Sequence, residues 1–224
     1  MAFEALEAAA VDGEIIDACR ISWDNLGKPG GWWSGADRLA IARQIRRSAP
    51  RPLWDRAPEL VDVGDEPDGD LSAFVRALTE RVTTQPSSID HETYLHVVDR
   101  IGEDAYAELA AIASQVVPID HLHDALGLER EPFPEAEVGE PTGERPVDLV
   151  EDVAFLPTLP ADGLPHVAVS LSLAQADNAR RMLLVRAMYS GRSFGDMVWT
   201  HRALSRPQIE LVAARTSALN ECFY

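Results

Sequence analysis

Apolar residues recur at helical spacing along this chain, segment after segment, each behind a residue suited to cap a helix. No stretch sustains the period-two alternation of a half-buried strand. Asp12 precedes a run with Ile15, Ile16, Cys19 and Trp23 on one stripe. Ser34-Gly-Ala-Asp37 opens a helix from Ala36 to about Arg47. Asp70 stands before Leu71, Phe74, Val75, Leu78 and Val82, with Pro86 as the stop. Ser88 or Asp90 starts a shorter helix carrying Tyr94, Val97, Val98 and Ile101. The longest apolar helix follows Gly102-Glu-Asp and carries Tyr106, Leu109, Ile112, Ala113 and Val116. Pro118 is expected to kink or interrupt it, Asp120 to restart it and Gly127 to end it. Further helices are expected from His166 to Leu173 and from Gln175 to about Ser190. A short helix or turn follows over Phe194 to Leu204. Only Val167-Ala-Val-Ser-Leu-Ser-Leu173 alternates, and only briefly. The expected fold class is all-α, a helical bundle.

Residues 128–152 break the pattern. Pro132, Pro134, Pro141 and Pro146 alternate with Glu and Gly and no apolar period appears. An extended strap is expected there, anchored by Phe133, Val138 and Val147. The chain of 224 residues is long enough for one large or two small domains. Its net charge of −17, from 20 basic and 37 acidic residues, argues against nucleic acid and anionic membrane as partners. Two cysteines, Cys19 and Cys222, make no disulfide framework. No signal peptide and no long apolar run is read, so a cytoplasmic protein is the expectation.

The last twenty residues concentrate the chemistry. Ser205 is placed as an N-cap, Pro207 sits in the first turn, and Gln208 completes a capping box. Ile209, Leu211, Val212, Ala214, Ala218 and Leu219 read as apolar enough to bury. Among them stand Glu210 and, near the end, Cys222. Glu210, eleven residues, then Cys222-Phe-Tyr224, in the setting Leu-Ser-Arg-x-x-x-Glu-Leu-Val-Ala-x-Arg-x-Ser-x-Leu-Asn-x-Cys, resembles the alkylhydroperoxidase/carboxymuconolactone decarboxylase-like superfamily. The match covers residues 160–224 well and the earlier chain more loosely. Arg100-Ile-Gly-Glu-Asp-Ala-Tyr106 resembles the part of the superfamily that follows the cysteines. Setting Arg43 on Arg215 also places Leu39 on Leu211, Ala42 on Ala214, Arg38 on Glu210 and Pro50 on Cys222. On this reading residues 1–127 are a degenerate first repeat and 128–152 an acidic Pro-rich linker. Residues 153–224 are then the first part of a second repeat, ending at its active-site cysteine.

The resemblance implies a thiol-dependent peroxidase. A cysteine pair cycles between dithiol and disulfide, while a glutamate and a histidine relay protons. Cys222 matches the first cysteine and Glu210 the relay acid. The second cysteine would be residue 225, and neither it nor the histidine has a counterpart here, so these 224 residues are expected to be catalytically weak or inactive by themselves, a lone Cys222 being unable to close an internal disulfide. A small-molecule peroxide and a dithiol reductant are the implied partners, together with further copies of the chain as a homo-oligomer. No cofactor is implied. On an unbroken helix Glu210 and Cys222 lie about 120° apart, so a break near Asn220 is expected to turn the thiol back. The alternatives for this chain are a non-catalytic assembly scaffold that keeps the fold and a lyase of the carboxymuconolactone decarboxylase kind. The remaining candidates read as structural. Cys19 sits on an apolar stripe. His121 and His123 are about 200° apart on a helix and cannot grip one metal ion together, so no metal site is expected. Trp32-Trp33 reads as an apolar plug.

Overall fold

A computed structural model describes residues 2–48, 59–151, 154–190, 196, 198–199 and 202–220. Helices account for nearly all of the regular structure, and the chain is all-α. In chain order they are α1 (Glu4–Ala8), α2 (Gly13–Asp24), α3 (Gly35–Arg47), α4 (Ala73–Thr84), α5 (His91–Ile101), α6 (Glu103–Leu126), α7 (His166–Val169), α8 (Gln175–Leu184) and α9 (Arg206–Leu219). Strand pairing among the described residues is limited to a two-residue hairpin, β1 (Pro67–Asp68) with β2 (Leu71–Ser72), and a single antiparallel bridge between Val150 and Thr158. No described helix is long and apolar enough to cross a membrane.

Capping chemistry sets most helix starts. Asp12 accepts a hydrogen bond from the Glu14 amide at 2.8 Å, Ser34 from Asp37 at 3.2 Å and Asp90 from Thr93 at 2.8 Å. For α4 the cap is Ser72, whose Oγ accepts from the Val75 amide at 3.2 Å, and not Asp70. Gly69, at φ 71°, makes the hairpin turn, and β2 takes up Leu71 and Ser72 before the helix begins. Pro118 does not interrupt α6, which runs unbroken from Glu103 to Leu126. Neighbouring turns hold it, because Val116 and Ile119 on either side are fully buried. Gly127, at φ 67°, ends the helix, its amide donating to the Asp124 carbonyl and the Leu128 amide to the His123 carbonyl. The expected helix over His166–Leu173 shortens to α7 and a 3₁₀ turn over Ser172–Ala174. The next helix passes into a π-helical turn over Val185–Ser190.

Helix α6 is the axis of the bundle, with α3, α4, α5 and α8 packed round it and α2 against α8. Leu109, Ile112, Val116 and Ile119 of α6 meet Leu39, Ile41, Ala42 and Ile45 of α3 in one buried cluster. Each such aliphatic side chain contributes about 1.5–3 kcal/mol by leaving water. Leu184 of α8 belongs to the same cluster, so residues beyond the strap share the core of those before it. A smaller cluster joins Tyr94, Ala107 and Ala111 to Leu156, Leu171 and Leu173.

The strap is bound across the loop between α2 and α3. The amides of Glu137, Thr142 and Gly143 donate to the carbonyls of Gly27, Gly30 and Gly31 at 2.8, 3.0 and 2.8 Å. Phe133 anchors it, stacked on Trp23 at 5.3 Å under the Arg46 guanidinium. Val138 and Val147 do not; both are exposed, and Arg145 instead ties the far end to Glu103 and Asp104.

Candidate functional site

Glu210 lies in the second turn of α9. Ser205 and Gln208 fix that helix start as the sequence indicates, with the Ser205 amide donating to Gln208 Oε1 at 2.9 Å. The π-helical turn brings Tyr189 to the same place. Its hydroxyl donates to Glu210 Oε2 at 2.6 Å, and Arg206 Nε donates to Glu210 Oε1 at 3.2 Å, one turn back on α9. Trp199 is buried beneath this pair. It meets Tyr189 edge-on at 6.2 Å, while the guanidiniums of Arg206 and Arg202 lie over its ring at 5.3 and 5.7 Å. Arg202 also donates to the carbonyls of Met188 and Ala187 at 3.0 and 3.2 Å, groups at the π-helical turn.

The charge state follows from these contacts. The hydrogen bond from Tyr189 lowers the Glu210 carboxyl below its ordinary range. Partial desolvation opposes this, and Arg206 adds to the lowering. Burial, and then the carboxylate itself, push the Tyr189 phenol up to about 12. At neutral pH the pair is therefore phenol and carboxylate, never phenolate and acid.

Cys222 lies outside the described residues, and so do Phe194, Gly195, Met197, Thr200 and His201 of the expected Phe194–Leu204 helix or turn. The described helix ends at Leu219 with Asn220 as its C-cap, where a break was expected. From Glu210 to Asn220 an unbroken helix rises about 15 Å. Cys19, the described thiol, is fully buried, and burial pushes it up to about 12, so it is chemically quiet. His123 is buried with Nδ1 2.8 Å from the Ile119 carbonyl, while His121 is exposed. Among the described residues no group of His, Cys, Asp and Glu is placed to hold a metal ion. Trp33 half plugs the core and donates to the Ala105 carbonyl at 2.9 Å, whereas Trp32 faces solvent.

A second charged cluster went unread in the sequence. Arg38, buried in α3, reaches Asp177 of α8 at 2.8 and 3.0 Å and pairs with Glu108 of α6. Gln115 and Arg180 complete the shell of Asp177 at 3.0 and 3.1 Å, and the Trp32 amide donates to Glu108 at 2.7 Å. Burial raises Asp177, but Arg38, Arg180 and Gln115 outweigh it and the carboxyl ends below its ordinary value. At Glu108 burial wins over Arg38 and the Trp32 amide, and the carboxyl ends above its ordinary value. Gly30 lies against this pair, and a β-carbon there would overlap the Glu108 carboxylate. A signal was present: Arg38 lies in helical register with Ile41, Ala42 and Ile45, and Glu108 with Ile112, Gln115 and Ile119. A charge on an apolar stripe needs a buried partner.

No family model, curated protein or solved structure matches the chain.

Proposed function

We propose that this chain is a thiol-dependent peroxidase of the alkylhydroperoxidase-like type, with Cys222 as the reacting thiol and Glu210 as the acid that organises its protons. The observation that carries the reading is the state of Glu210. It is a half-exposed carboxylate, held ionised by a phenol and a guanidinium at the start of the helix that leads to the cysteine. A group with a lowered pKa is a weak base but a lasting anion. It suits the task of holding a protonated partner in place better than that of carrying a proton away.

The Cys222 thiolate attacks one peroxide oxygen, the O–O bond breaks, and the alcohol departs with a proton as the sulfur becomes a sulfenic acid. A thiol of the dithiol reductant condenses with it and water leaves. The reductant's second thiol then displaces Cys222, so the dithiol supplies both electrons. A cytoplasmic setting and a homo-oligomer belong to the same proposal.

The test is peroxide consumption with a dithiol reductant. Cys222→Ser should abolish turnover, and Glu210→Gln should lower it about ten- to hundredfold. Tyr189→Phe should leave turnover measurable while moving the Glu210 pKa upward, as read by NMR titration. Equal peroxide consumption by the wild type and Cys222→Ser removes the thiol mechanism.

A non-catalytic scaffold of the same fold is the second reading, and Arg38 favours it. At the position that the internal alignment sets on Glu210, the first copy carries a buried guanidinium joining three helices.

A further inference from the structure

Helix α9 presents its more apolar side to water. Arg206, Ile209, Glu210, Ala213 and Ser217 are half-buried and span about 100° of the helix, the side fixed to Tyr189 and Trp199. The opposite side spans about 160° and carries Leu211, Val212, Ala214, Ala218 and Leu219, with Arg215 as its one charge. Leu211, Val212 and Leu219 are 72%, 62% and 45% exposed. Arg215 makes no ion pair among the described residues. A helix of this length gains little stability without a packed face. Its inner face is pinned to its own body, and none of the described residues covers the outer one.

A matching surface lies between α2 and α8. Ile21, Leu183 and Ala187 line an open groove of about 460 Å³, with Glu14 and Asp17 on the α2 side. Ile21 and Leu183 are exposed there, and beyond Leu183 the surface continues to Leu164 and Met182. Glu14 makes no ion pair among the described residues, and the pair between Asp17 and Arg20 is a long one, 3.6 Å. Arg186 shares the groove and Arg20 stands beside Asp17, which leaves Glu14 as the carboxylate open to an incoming cation. The approach to α9 is tied to this border, because Arg202 donates to the carbonyl of Ala187, which lines the groove.

We infer that the occupant of the groove is α9 of a second copy of the chain. Its outer leucines and valine lie on Ile21 and Leu183, and Arg215 lies beside Glu14 and Asp17. Each copy offers one helix and one groove at neighbouring places, so a two-fold axis satisfies both contacts and closes the assembly at a dimer. Self-pairing of α9 about the middle of its apolar stretch, 211–219, would set Arg215 against its own copy; the groove offers a carboxylate instead. This inference does not rest on thiol chemistry.

The experiment is sedimentation of the full chain over a concentration series. The wild type should show a monomer–dimer equilibrium. Leu211→Glu with Val212→Glu should give monomers of unchanged helical circular dichroism, since both sites are exposed. Arg215→Glu alone, and Glu14→Arg with Asp17→Arg in a separate variant, should each weaken association about ten- to hundredfold. Mixing these two charge-reversed proteins should restore a dimer, because each then finds a complementary partner. A wild type that stays monomeric, charge variants that still dimerise, or a mixture that remains monomeric each overturns the proposal. The last of these, with a wild-type dimer, would place the contact elsewhere on the surface.

Discussion

Arg38, Glu108 and Asp177 show how one buried cation divides two carboxylates. Asp177 takes both guanidinium arms and is held below its ordinary value of 3.8, whereas Glu108 is left above its ordinary 4.5. The two therefore act on stability with opposite sign. A lowered carboxyl stabilises the fold above its unfolded value, and this is lost as pH falls through the folded value. A raised carboxyl costs stability at neutral pH, and the cost fades as pH falls toward the range where it protonates. Asp177→Ala should cost about 3–5 kcal/mol at pH 7, because it strands Arg38 in the core. The penalty for Asp177→Asn should shrink below pH 3.8. Glu108→Gln should cost less at pH 7 and compare worse with the wild type as pH drops toward 4.5. Urea unfolding across a pH series reads all three. A pH-independent penalty for Asp177→Asn would contradict the assignment.

At the scale of the element, the start of α4 separates two residues that sequence rules treat alike. Asp70 and Ser72 both suit a helix cap, but the Gly69 turn commits residues 67–72 to a hairpin and leaves the cap to Ser72. Ser72→Ala should lower unfolding stability by about 1 kcal/mol, and Asp70→Ala should change it by less than about 0.5 kcal/mol. Denaturant midpoints compare them directly, and the reverse order would return the cap to Asp70. The same scale explains α6. A proline there removes one intrahelical bond, but the buried side chains of Val116 and Ile119 hold the turns on either side in line.

For the molecule as a whole, charge and strap pull in different directions. The excess of 37 acidic over 20 basic residues makes the folded surface repel itself. Against this, Arg145 and Arg130 clip the strap ends to Glu103, Asp104 and Asp124. Exposed pairs of this kind contribute little each, so the repulsion should dominate. Raising salt from about 10 mM to about 300 mM should screen it and raise Tm by a few degrees in a thermal scan. A fall in Tm would give the larger share to the strap's ion pairs.

Most helix starts, the all-α class, the strap and the burial of Cys19 were legible in the order of residues, because capping and apolar period act over a few neighbours. Glu210 was legible as a residue of interest, but not its bond to Tyr189, twenty-one positions away across a π-helical turn. The buried Arg38 cluster, the outward apolar face of α9 and the poor anchoring of Val138 and Val147 were decided only by tertiary structure. A period says which residues share a side of a helix. Which side meets the core depends on what the rest of the chain brings against it, and for Leu211 and Val212 the chain itself brings nothing among its described residues.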